Sequence, residues 1–149
     1  MKDKYEALKL DNQICFPLYA CSKEIVRMYK PFLDDIDLTY TQYITMMVMW
    51  ETEEINVKNL GERLYLDSGT LTPLLKKLEA KGYIKRSRSK TDERNLIVSL
   101  TDEGRLLKDK AVCIPEKMAG CVRLTREEAF ELYRLLHKVL STAEDEKNG

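Results

Sequence analysis

A mainly helical α+β fold is predicted by three features of this 149-residue sequence. Only six glycines and four prolines interrupt it, too few for a turn-rich β protein. Apolar residues recur at helical spacing toward both ends of the chain. Two short segments, 83–88 and 95–100, read as strands separated by a polar loop. With 44% apolar and 34% charged residues, the chain is neither a disordered tail nor a membrane protein. Its longest apolar stretch, Tyr43 to Trp50, is broken by Thr45 and falls far short of the roughly 20 residues that span a bilayer. The opening MKDKYEALKL is charged and lacks the apolar centre of a secretory signal. The expected location is therefore the cytoplasm.

The first element is a long helix from Asp11 to Lys30. Ile14, Leu18, Cys21, Ile25, Met28 and Phe32 form one row, and Cys15, Tyr19, Ser22, Val26, Tyr29 and Leu33 repeat it one residue later. Together they make a wider apolar stripe than a simple surface helix needs. Asp11 is its expected N-cap, and Pro31 is expected to end or kink it. A second helix, Thr41–Glu53, is nearly all apolar and belongs in the core. After an extended Ile55-Asn56-Val57 come a short helix, Lys58–Leu64, a turn at 65–68, and a further helix that stops at Gly82, a good residue just past a helix end. Pro73 leaves two starts open for that helix: a cap at Thr72 with Pro73 first, or a cap at Asp67 or Ser68. Tyr83–Arg88 and Asn95–Leu100 follow as strands. Thr101 caps a helix carrying Leu107, Ala111, Ile114, Met118 and Cys121, with a kink expected at Pro115 and an end at Gly120. Thr125-Arg126-Glu127-Glu128 is a capping box opening the last helix, whose stripe is Ala129, Leu132, Leu136, Val139 and Ala143.

Two short helices joined by a tight turn, then a hairpin, make a winged helix-turn-helix. The expected organisation is one protomer over 1–149. Residues 55–100 form the winged lobe, and 1–40 and 101–149 supply helices whose stripes outrun that lobe and whose simplest use is a homodimer.

Net charge is zero, but it is segregated. Residues 31–57 hold Asp34, Asp35, Asp37, Glu51, Glu53 and Glu54 and no Lys or Arg, whereas 76–90 hold seven bases against Glu79 alone. A solvated face explains this as readily as a nucleic-acid partner. The helix-turn-helix adds weight to double-stranded DNA. Ser68, Thr70 and Thr72 lie near the start of the candidate recognition helix, with Lys76 and Lys77 a turn on, placed for base edges and phosphates. Arg88, Lys90 and Arg94 flank the hairpin tip, where an arginine can enter a narrow minor groove. Asp92 repels phosphate, so its expected work is to hold Arg94.

Of four cysteines (Cys15, Cys21, Cys113 and Cys121), none forms a CxxC pair, and His137 is the one histidine. Zinc is thus poorly supported, and no cofactor is expected. Cys15, one turn inside the first helix, is either a packed thiol or a thiolate favoured by the helix N-terminus, which Asp11 opposes. Tyr29 shares its face but lies ~21 Å along the same helix. It reaches Cys15 only across two antiparallel first helices of a dimer, where Tyr40 could join it. Two phenols donating to sulfur would favour the thiolate. Ordinary interface packing is the alternative.

The run Asp92-Glu93-Arg94, five residues, then Leu100-Thr101-Asp102-Glu103-Gly104 resembles the wing signature of the MarR family of dimeric winged-helix repressors. The segment 66–79, LDSGTLTPLLKKLE, is similar to the recognition helix of its organic hydroperoxide resistance regulators, and favours the earlier helix start. Asn12-Gln13-Ile14-Cys15-Phe16, Tyr29-Lys30-Pro31 and Thr39-Tyr40 match their sensor region. The resemblance implies a homodimeric repressor on a pseudopalindromic operator. It makes Cys15 the peroxide-reactive residue, with Tyr29 and Tyr40 of the partner chain hydrogen-bonding to it. It further implies capture of the oxidised Cys15 by a small thiol or by a second cysteine near the last helices: Cys121, beside Gly120, is favoured, with Cys113 next. Cys21 is expected to be structural. A regulator of a small aromatic ligand lined by Tyr29 and Tyr40, and a thiol peroxidase, are the competing readings. The peroxidase leaves the basic helix-turn-helix unexplained, and an aromatic acid should release DNA only under the first.

Overall fold

In the computed structural model, which describes residues 3–149, the first helix begins later than its apolar pattern. Two 3₁₀ turns, Glu6–Leu8 and Leu10–Asn12, come first. The Asn12 amide donates to the Glu6 carbonyl (2.8 Å), and that of Gln13 to the carbonyls of Ala7 (2.6 Å) and Lys9 (3.0 Å), tying the chain into these turns. Helix α1 therefore spans Cys15–Asp34, Asp11 is not its N-cap, and Cys15 is its first residue rather than one turn inside. Pro31 does not end it, because a proline there removes only one rung of the ladder.

Helix α2 (Tyr40–Thr52) opens on a capping box: Thr39 accepts from the Gln42 N–H and Gln42 from that of Thr39. It runs through the core with Thr45, Met46 and Met49 fully buried, and the Thr45 hydroxyl satisfied by the Thr41 carbonyl at 2.7 Å. Strand β1 (Glu54–Asn56) leads into α3 (Val57–Leu64), capped by Asn56. Tyr65 turns the chain through the left-handed region (φ 55°). Asp67 then caps α4 (Ser68–Ala80), accepting from the Thr70 N–H at 2.8 Å. Of the two starts open in the sequence, the earlier is the one adopted, with Pro73 inside the helix. Gly82, φ 82°, terminates it. Asp67→Ala should lower stability by about 1 kcal/mol in urea unfolding; an unchanged midpoint would show the cap to be idle.

β2 (Ile84–Arg88) and β3 (Leu96–Leu100) pair antiparallel, with Ile84 opposite Leu100 and Arg88 opposite Leu96. β1 joins the far edge of β3, so the order is β1-β3-β2. Ile84 and Val98 turn inward to Leu60, Leu71, Leu75 and Leu78, all essentially inaccessible. Where one kinked helix is expected after the hairpin, two occur: α5 (Asp102–Ala111), capped by Thr101, and α6 (Ile114–Cys121). The break falls at Val112–Cys113. Pro115 occupies the first turn of α6, where its missing N–H is harmless, and Gly120 lies inside α6.

The chain divides after Ile114 into two units. The second, Pro115–Gly149, holds the remainder of α6 and α7 (Arg126–Asn148), whose Thr125–Glu128 capping box is as expected. Phe130, Leu132, Leu136 and Val139 of α7 are exposed, as are Ile14, just before α1, and Phe16, Leu18, Val26 and Met28 within it. Among the described residues, no helix is long and apolar enough to cross a membrane.

Candidate nucleic-acid interface and thiol site

The amphipathic pattern of α4 decides what it presents. Leu71, Leu74, Leu75 and Leu78 are buried, which turns Ser68, Thr70, Thr72, Lys76 and Lys77 outward. With Asp67 using the Thr70 N–H, the first turn still offers other free amides beside these hydroxyls. The wing stands beyond them. The Ser89 N–H donates to the Asn95 carbonyl (2.8 Å) and the Arg88 guanidinium to the Glu93 carbonyl (3.0 Å), which closes the hairpin. Asp92 accepts the Arg94 N–H at 3.0 Å and lies 3.7 Å from its Nε. Arg94 itself is 92% exposed, and Lys90 is exposed. Asp92 thus shapes the tip chiefly through backbone.

Glu79 and Arg86 are missing from the sequence reading of this face. Arg86 donates its N–H to Glu79 Oε2 (2.8 Å) and its guanidinium to Oε1 (3.0 Å), fastening β2 to the end of α4. These hydrogen bonds hold the Glu79 carboxyl below its ordinary pKa. The signal was available, since Glu79 is the lone acid in a run of seven bases.

A second cluster lies where α1 packs on α2. The rings of Tyr29 and Tyr40 are 4.9 Å apart, and Tyr43 joins them at 5.7 and 6.4 Å. Tyr43 is 3% exposed. Burial raises the pKa of Tyr29 and of Tyr40, so all three phenols remain protonated donors at neutral pH. Cys15 is exposed at the opposite end of α1, ~21 Å from Tyr29 along the axis, so the chain does not bring its own Cys15 to its own tyrosines. No acid lies in the first turn of α1; Asp11 sits in the preceding 3₁₀ turn. Cys21, expected on a packed row, is exposed, as are Cys113 and Cys121. A cavity of ≈ 680 Å³ is lined by Asp34, Asp37, Thr39, Gln42, Lys77 and Lys81 among others, and by none of the three tyrosines.

A helix-turn-helix with a β-wing, its polar helix face and basic tip turned outward, defines a winged-helix transcriptional regulator. Residues 27–111 match the family model of the transcriptional regulator SarA/Rot. The organic hydroperoxide resistance transcriptional regulator of Bacillus subtilis is 48% identical over 142 residues, covering 95% of this chain and 97% of the relative. Reduced AbfR bound to DNA superposes with a TM-score of 0.79 at 32% identity, covering 96% and 98% of the two chains. Disulfide-formed AbfR gives 0.65 at 34%, covering 94% and 96%; AbfR is a Staphylococcus epidermidis protein. The chain belongs to the MarR family of winged-helix transcriptional regulators, on the branch of the organic hydroperoxide resistance regulators, and is not an enzyme.

Proposed function

We propose that two copies of this chain form a cytoplasmic repressor that grips a pseudopalindromic operator and releases it when an organic hydroperoxide oxidises Cys15. The winged lobe, 55–100, contacts DNA. Ser68, Thr70 and Thr72 meet base edges, Lys76 and Lys77 the phosphates, and Arg88, Lys90 and Arg94, the last held by Asp92, the minor groove. Segments 1–40 and 101–149 dimerise, which accounts for the exposed apolar side chains of α1 and α7.

The observation that carries the sensing is the Tyr29–Tyr40 pair, 4.9 Å apart and a helix length from its own Cys15. Paired protonated phenols suit a thiolate, and only a second chain running antiparallel delivers one. The thiolate attacks the hydroperoxide: the O–O bond breaks, the sulfur becomes sulfenic acid, and an alcohol leaves. Condensation with a second thiol, Cys121 or Cys113 of the partner, then makes a disulfide and water. The strained dimer spreads its lobes, and half-sites one helical turn apart lose register together.

A gel-shift assay on the upstream intergenic region tests this. Cumene hydroperoxide at one equivalent should release wild-type protein, and Cys15→Ser should stay bound at the same dose. Release of the serine variant would overturn the reading, and so would release by an aromatic acid with no response to peroxide.

A further inference from the structure

Arg86 stands opposite Val98 in the ladder and two residues on from the buried Ile84, so its side chain lies on the inner face of β2, toward α4. There its Nη2 donates to Glu79 Oε1 at 3.0 Å. The Arg86 N–H, 2.8 Å from Oε2, belongs to the free edge of β2, because β2 is the outer strand of the order β1-β3-β2. One carboxylate thus grips both the edge backbone and the side chain of a single residue. Arg86 Nε is, among the described residues, the one buried side-chain N or O atom without a hydrogen-bond partner. A stranded donor is destabilising. Stability alone would favour an apolar residue there, as at Ile84, so a charged tie calls for another reason.

That reason lies in what the hairpin rests on. β1 pairs with β3 only at Ser99, Val98 and Ile97, so beyond Ile97 the wing is a two-stranded ribbon. On the other side its base is held by Glu79, in the last turn of α4. Lys90 is four residues beyond Arg86, ~13 Å along the strand. Over that lever, roughly ten degrees of tilt moves the tip by about 2 Å, enough to break a hydrogen bond.

We propose that Glu79 and Arg86 are positioning residues for DNA: they fix the angle between the recognition helix and the wing, and so decide whether Arg94 reaches the minor groove while α4 occupies the major groove. This rests on the DNA contacts assigned above to Arg94 and α4. The Arg86 charge is neutralised by Glu79 at 3.0 Å, so the tie acts through the wing and not on phosphate. With the tie intact, the two readers move as one unit, and minor-groove contact follows from major-groove docking. Without it, α4 docks as before, and the wing has to be ordered on every encounter. The effect therefore passes through Arg94 and disappears where Arg94 is absent. It also bears on choice of DNA: flanks with a narrow A·T minor groove gain from a fixed wing, whereas G·C flanks gain little.

The test uses the reduced full-length protein, the upstream intergenic duplex, fluorescence anisotropy for affinity and chemical footprinting for contacts. Glu79→Ala should bind about tenfold more weakly, and Arg86→Met, whose backbone N–H still donates to Glu79, about threefold. Arg94→Ala should also weaken binding about tenfold, and adding Glu79→Ala to it should weaken binding by less than a further twofold or so. At saturating protein, hydroxyl-radical protection of the flanking minor groove should fade in Glu79→Ala, while dimethyl sulfate protection of guanine N7 under α4 persists. The urea midpoint of Arg86→Met should be at or above that of wild type, which separates its weaker binding from any loss of folding. Full multiplication of the two losses in the double variant, or joint fading of both footprints, overturns the positioning role and leaves the DNA-binding reading intact. Wild-type affinity in Arg94→Ala overturns the minor-groove assignment itself, and the role of the tie with it.

Discussion

Changing Tyr29 and Tyr40 together to phenylalanine should slow the reaction with cumene hydroperoxide about tenfold at pH 7 and leave DNA affinity in the reduced state within about twofold. The rings stay, so the packing of α1 on α2 is kept; only two donors are lost. Hydrogen bonds to a charged group are worth about 1.5–3 kcal/mol each, which would suggest a larger effect. Two considerations limit it. An unassisted thiol is already a few per cent thiolate at neutral pH, so the reactive fraction has only about 30-fold to lose. A thiolate relieved of its donors is also the better nucleophile, which returns part of the loss. The deficit should narrow as pH rises, because hydroxide then ionises the thiol without help. Neither tyrosine lies on α4 or the wing, hence the intact DNA binding. Stopped-flow oxidation monitored by thiol loss reads the rate. A double variant as fast as wild type would remove the phenols from the chemistry.

Sequence signals specify structure best where the physics is local. The Thr125 capping box, the Gly82 terminus and the period-two strand around Leu96, Val98 and Leu100 each depend on a few neighbouring residues. The start of α1 is not legible locally, because Asp11 looks like a cap in isolation. The amides of Asn12 and Gln13 instead bind back onto Glu6, Ala7 and Lys9, a competition that helix periodicity does not register. The break between α5 and α6 is hidden for a related reason: the stripe from Leu107 to Cys121 continues across it, and Pro115 is compatible both with a kink and with a new first turn. In the phenol cluster, Tyr29 and Tyr40 stood out through their setting on the chain. Tyr43 was hidden in an apolar run, where a tyrosine reads as core. It meets Tyr29 only through the packing of α1 on α2, and Trp50, on the same helix, meets Gly104 only through the crossing of α5 over α2; neither fact leaves a trace in one helix alone.

That same crossing makes Gly104 the position where a single methyl should do most damage. Gly104→Ala should destabilise the protein by about 3–5 kcal/mol, a large part of the 5–15 kcal/mol a typical domain has. The helical setting alone argues the reverse, since alanine is favoured over glycine inside a helix by about 1 kcal/mol. Contact geometry decides the sign. A Cβ there would stand 2.2 Å from the Tyr83 carbonyl oxygen, 3.1 Å from its carbon and 2.8 Å from Leu100 Cδ1. Two of these are backbone atoms, and that carbonyl already accepts from the Thr101 N–H at 3.1 Å, so it has no free path to retreat. α5 must tilt instead. Tilting strains the Thr101 cap, whose hydroxyl both accepts from the Gly104 N–H (3.0 Å) and donates to the Gly82 carbonyl (2.6 Å). It also withdraws the Gly104 carbonyl from Trp50, leaving a part-buried indole N–H without its partner. Overpacking of about 1–3 kcal/mol therefore adds to one lost hydrogen bond and one stranded donor. Gly120 is the control, because a Cβ there meets nothing within 4 Å inside α6, so Gly120→Ala should gain a few tenths to about 1 kcal/mol. Urea midpoints at matched protein concentration measure both. Opposite signs for the two glycines would show that the packing of α5 against the base of the wing, and not helix propensity, requires the glycine at 104; a Gly104→Ala midpoint at or above wild type would refute it.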